Sequence, residues 1–115
     1  MNVNSASIFA DIPKTLPEEL CQTLLKKPNL RIERIVSKGH SSANGFWYDQ
    51  NQDEWVMVLQ GQARLKFFDG SSIELAVGDY LLIPANCKHQ VEWTTPTMET
   101  VWLAIHIFAD DKTRN

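Results

Sequence analysis

Most of the chain changes between apolar and polar residues with a period of two, and one stretch near the start does not. In "TLPEELCQTLLKK", Leu16, Leu20 and Leu24 recur at four-residue steps, Thr15 and Glu18 have capping-box spacing, and Pro17 sits where a first helical turn tolerates it. This predicts one short amphipathic helix over about 16–27, with Lys26 and Lys27 in its last turn and Pro28 ending it. Everything after Pro28 reads as strand and turn. "LRIERIV", "FWYDQ", "EWVMVLQG", "ARLKFF", "SIELA", "DYLLIP", "HQVEW" and "TVWLAIHIF" are short strand candidates, separated by loop-forming pieces such as "SKGHSSANG", "DGSS", "VGD" and "PANCK". Asp69-Gly70 is a hairpin signal, because positive φ is cheap at glycine and tolerable at aspartate. Seven or eight strands at this spacing predict an all-β sandwich or barrel over about 30–108, within a single domain spanning 1–115. The ends, "MNVNSAS" and "DDKTRN", are expected to fray.

Alternation also assigns faces. In "CKHQVEW", His89, Val91 and Trp93 share one face, and that face is apolar. Pairing "HQVEW" with "WLAIHIF" as a hairpin would set Trp93 against Trp102, Val91 against Ala104 and His89 against His106. "EWVMVL" and "YLLI" are apolar on both faces, which predicts cover on the second face by a helix or another subunit and favours a homodimer.

Composition narrows the function classes. With 115 residues, 43% hydrophobic and 22% charged, the chain has the balance of a globular domain. A net charge of −3 without a basic stripe argues against nucleic acid or an anionic membrane as partner. No apolar run is long enough to span a bilayer and no signal peptide is visible, so a cytoplasmic location is expected. Cys21 and Cys87 form no CxxC pair and read as reduced thiols. With three histidines in all, a metal site would have to borrow carboxylate or amide oxygens.

The spacing of Gly78, Pro84 and His89 resembles the second sequence motif of the cupins, in which a glycine, a proline, a second glycine and a histidine follow one another at fixed intervals. Asn86 stands for the second glycine, a mild change at a positive-φ turn, and Trp93 for the asparagine that often closes the motif. Glu54 and Gly61 have the glutamate-to-glycine spacing of the first cupin motif, and Gly39 could be its leading glycine. The two histidines of that motif are missing: the family spacing lands on Trp47 and Asp49, or on Tyr48 and Gln50. The likeness is to small, single-domain bacterial cupins, and it implies a double-stranded β-helix, or jelly-roll, barrel.

The resemblance also implies a divalent ion (iron, manganese, zinc or nickel) and a small-molecule ligand inside the barrel. Glu54 and His89 are the first expected ligands, with His106 and Asp49 joining them and Gln50 and His40 as weaker donors. Tyr48 and Glu54 are the candidates for acid–base work. Three readings stay open: a metal-dependent oxygenase or isomerase, a non-catalytic binding or sensing module, and a barrel without metal. No nucleophile elbow or phosphate-cradling loop is present to add a fourth.

Overall fold

The computed structural model describes residues 2–109, so the expected fraying of "DDKTRN" lies outside the described residues. Eight strands follow in order: β1 (Leu20–Lys27), β2 (Leu30–Ser37), β3 (Asp53–Gln60), β4 (Ala63–Phe67), β5 (Ser72–Leu75), β6 (Tyr80–Ile83), β7 (His89–Thr94) and β8 (Thr100–Ile107). They form two antiparallel sheets, one of five strands in the order β1-β2-β8-β3-β6 and one of three in the order β5-β4-β7. Facing side chains of the two sheets build the core from Val56, Val58, Ala63, Leu65, Leu75, Ile83, Trp102 and Ala104. Each buried Val, Leu or Ile of this cluster is worth about 1.5–3 kcal/mol, so the cluster holds the layers together.

The expected helix over 16–27 is not there. Leu20–Lys27 is an edge strand paired with β2, and Pro28 with Asn29 makes the turn between them. A lone helix of some 12 residues is marginal in water, whereas the edge of β2 offers hydrogen-bond partners along the whole segment. The leucine stripe finds no surface to cover. The register slips between Thr23 and Leu25, and Leu24 and Leu25 stay exposed. What fixes the strand is Arg34, itself buried, whose guanidinium donates to the Gln22 side chain of β1 and to the carbonyls of Ile8 (2.9 Å) and Ala10 (2.6 Å).

Two further expectations change. β7 pairs with β4 and β8 lies between β2 and β3, so the proposed His89–His106 hairpin register does not form. The turn after Thr94 carries the chain from one sheet to the other rather than back along the same one. A bulge at Glu92 then breaks the alternation of β7: Val91 opposes Leu65, but Trp93 opposes Arg64 and packs under its guanidinium at 5.7 Å. "FWYDQ" makes one isolated bridge, Tyr48 to His89, in place of a strand.

The turns behave as their residues dictate. Asn86 adopts φ 63° and Gly70 φ 92°, the left-handed conformations expected of them. Gly61 packs so closely on β8 that a Cβ there would stand 2.6 Å from the Thr100 Cα. Among the described residues there is no helix, and none long and apolar enough to cross a membrane.

Candidate functional site

The site lies where the inward-facing rows of the two sheets turn from apolar to polar. On β3 the row runs Val58, Val56, Glu54; on β8, beside it, Trp102, Ala104, His106; on β2, Ile35, Glu33, Arg31. Register places Glu54 opposite His106, and His106 opposite Arg31. The polar residues therefore meet at one end of the core. From the smaller sheet, His89 enters next to Phe67, with Tyr48 bridged to it from the loop before β3. Together they enclose a cavity of about 300 Å³, the lower end of the range for small-molecule sites. Its apolar wall is Ile35, Val56, Leu65, Ile83, Val91 and Trp102.

Glu54 sits between two imidazoles. Its Oε1 lies 3.8 Å from His89 Nε2 and its Oε2 lies 4.0 Å from His106 Nε2, with all three residues under a tenth exposed. Gln50 donates its amide to Glu54 Oε1 at 2.9 Å, and Gln52 in turn donates to Gln50 Oε1 at 3.1 Å. His89 donates from Nδ1 to the Cys87 carbonyl at 2.9 Å, so in the neutral ring Nε2 carries the lone pair and faces the cavity. His106 is held differently: Gln52 donates to its Nδ1 at 3.3 Å, and its Nε2 donates to Glu33 Oε1 at 2.8 Å. Burial, reinforced by Glu19 and Glu54, raises the Tyr48 phenol above its usual value, so the hydroxyl keeps its proton. Partial burial of its sulfur and the adjacent Glu33 push the Cys21 thiol up to about 11.

Glu54, His89, His106, Gln50 and Tyr48 thus meet in one cavity. Asp49 and His40 do not join them. Asp49 is exposed, because Tyr48 and Gln50 on either side of it turn inward. His40 is satisfied in its loop, accepting from the Lys38 amide (2.8 Å) and donating to the Leu16 carbonyl (3.1 Å). Tyr48 and Trp102 line the cavity, while Trp47 packs edge-on against Phe68. Sequence reasoning missed Glu19, Cys21, Arg31 and Glu33. In "LRIERIV" charged positions alternate with apolar ones, and of these Arg31 and Glu33 line the cavity.

A divalent ion suits these donors in kind but not in arrangement. Imidazole nitrogen and carboxylate oxygen are its usual ligands, and His89 Nε2 beside Glu54 supplies one of each. Glu33, however, occupies the His106 nitrogen that would come third. Among the described residues no group of three or more histidine, cysteine, aspartate or glutamate side chains is placed to hold a metal.

Fold and site together define a β-sandwich barrel with an acid–base cluster at the mouth of its core. The chain belongs to the cupin domain family, whose model matches residues 34–106. It is similar to a structure described as a "putative mannose-6-phosphate isomerase" from Ralstonia eutropha JMP134, at 44% identity and a TM-score of 0.88, covering 93% of this chain and 100% of that one. A cupin superfamily protein from Desulfitobacterium hafniense (22% identity, TM-score 0.71, 85% and 84% covered) and the EutQ protein of Clostridium difficile (21%, 0.64, 80% and 69%) share the fold. No curated protein matches the sequence.

Proposed function

We propose that the protein binds a small hydroxy-carbonyl compound in the barrel and isomerises it by proton transfer. The observation that carries this reading is the Glu54 carboxylate, buried and set between two imidazoles within 4.0 Å in a cavity of ligand size. An aldose–ketose or epimerising reaction needs a base to take the proton beside the carbonyl and a partner to hydrogen-bond the carbonyl oxygen as negative charge develops there. In the aldose–ketose case Glu54 takes the proton from the hydroxyl-bearing carbon and returns it to the former carbonyl carbon, while the proton of that carbon's hydroxyl passes to the former carbonyl oxygen, relayed by the Tyr48 hydroxyl. The Tyr48 hydroxyl, which keeps its proton, donates to the carbonyl oxygen. The isomerase description of the Ralstonia protein, at 44% identity, supports the same reaction class. Glu54→Gln, which keeps the amide network but removes the base, tests it: turnover of candidate aldoses should fall at least 100-fold with the fold unchanged.

A second reading is favoured by His89, whose Nε2 is left free by the bond from Nδ1 to Cys87. Here a divalent ion (iron, manganese, zinc or nickel) would be held by Glu54 and His89, with His106 a third ligand only if its nitrogen were free of Glu33. Such an ion would polarise a carbonyl. Elemental analysis of untagged protein separates the two. Stoichiometric metal that His89→Ala removes supports the ion, and a metal-free active protein supports proton transfer by side chains alone.

The outer face of the five-stranded sheet carries Ile32, Ile105, Trp55 and Leu82 in one cross-strand row, with Leu82 half exposed. An apolar row of this kind supports a homodimer formed on that face.

A further inference from the structure

We infer, building on the acid–base reading of this cavity, that the ligand is an uncharged polyhydroxylated molecule and that the cavity discriminates against its phosphorylated counterpart. Three carboxylates, Glu19, Glu33 and Glu54, line the cavity against one guanidinium, Arg31. Glu33 offsets the charge of that guanidinium, with its Oε2 3.1 Å from Arg31 Nε, although Nε makes no aligned hydrogen bond. A phosphate dianion would enter a space whose carboxylates outnumber its one guanidinium by three to one, a lining of net negative charge.

Charge alone would equally admit a cationic amine, and the hydrogen-bonding inventory decides against one. Trp102 is 3% exposed, lines the cavity, and has an indole N–H with no partner in the protein. A buried donor left unpaired costs about 1–3 kcal/mol, so a ligand that brings an acceptor to it is favoured. An ammonium group cannot do so, since it only donates. Glu54 Oε2 and the Glu19 carboxylate, one oxygen of which accepts from Ser37 at 2.8 Å, ask for the opposite: donors. Phosphate only accepts at neutral pH. Hydroxyl groups do both, and the Trp102 and Tyr48 rings offer flat apolar walls for the C–H faces of a sugar-like chain.

Isothermal titration calorimetry on the full chain with D-mannose, D-mannose 6-phosphate and putrescine tests this. The expected result is measurable binding of D-mannose, at least tenfold weaker binding of the phosphate, and no binding of putrescine. Trp102→Phe, which keeps a ring but removes the N–H, should weaken D-mannose at least tenfold. Glu19→Gln, which keeps an oxygen to accept from Ser37 but removes the charge, should narrow the gap between sugar and sugar phosphate. The idea is overturned if the phosphate or the amine binds as tightly as the sugar, if the sugar does not bind, or if neither variant alters these ratios. Sugar binding without any proton exchange at carbon would sink the isomerase reading and leave the ligand class standing. Turnover of the phosphate with no affinity for the free sugar would do the reverse.

Discussion

Glu54 owes its position to three separate constraints, and each is visible in a neighbouring residue. Alternation along β3 turns it inward with Val56 and Val58, register sets it opposite His106, and Gln50 fixes one carboxylate oxygen. His89 was legible in the sequence because Pro84 and Asn86 form the turn that the motif spacing predicts, and Asn86 does take positive φ. Glu33 was not legible, since a charged residue alternating with isoleucines looks the same whether its face is wet or lines a cavity. Its role makes a prediction. Glu33→Gln should loosen the hold on His106 and leave Tm within a few degrees, with the imidazole Nε2–H resonance moving upfield or broadening in the proton NMR spectrum; an unchanged resonance would show that Glu33 does not hold the ring. Cys21 supplies a pH test. With its pKa pushed up to about 11 from 9.0, the thiol stays protonated through neutral and mildly alkaline pH. Iodoacetamide labelling of Cys21, read by peptide mass spectrometry, should keep accelerating up to about pH 11; a plateau near pH 9.0 would contradict this. The same raised pKa makes the folded state lose stability as pH climbs from 9.0 towards 11, because the unfolded chain then gives up its proton first.

At the scale of the element, β1 shows where pattern reading fails. The four-residue leucine recurrence and the capping spacing were real, but both are weak against eight residues of pairing with β2. Arg34 is the tie that sequence inspection could not supply, since it joins β2 to Gln22 of β1 and to carbonyls at 8 and 10. Arg34→Ala is predicted to destabilise the protein by roughly 3 kcal/mol and to release β1 first. Hydrogen exchange should show faster exchange at 20–27 than at β3 or β8, and uniform acceleration would argue that Arg34 merely supports the whole sheet. The Gly61 turn makes a second element-level case. Gly61→Ala would force its new methyl into β8 at Thr100, and it should cost about 2–4 kcal/mol in urea denaturation. A neutral result would mean that the β3–β4 turn shifts freely. The bulge at Glu92 belongs here too. A one-residue slip inside β7 sent Trp93 to the surface side, something that strict alternation cannot foresee.

For the molecule as a whole, the all-β class, seven of the eight strands and the inward turn of His89 could be read from residue order. Which strands become neighbours could not. The hairpin first drawn between β7 and β8 would have joined the histidines within one sheet, whereas the cavity joins them from opposite sheets. The outer apolar row predicts that light scattering will give twice the mass of one chain, and that Leu82→Glu will halve it; a monomeric wild type would refute the dimer. We propose that Glu54 moves a proton on a small hydroxy-carbonyl compound without help from a resident ion. Proton NMR of an aldose such as D-mannose in D₂O, with chelator-treated protein, addresses it most directly. With wild-type protein the signal from the proton beside the carbonyl should disappear, at least 100-fold slower with Glu54→Gln. Retention of that signal with wild-type protein, or its loss only when a divalent metal is added back, would contradict it.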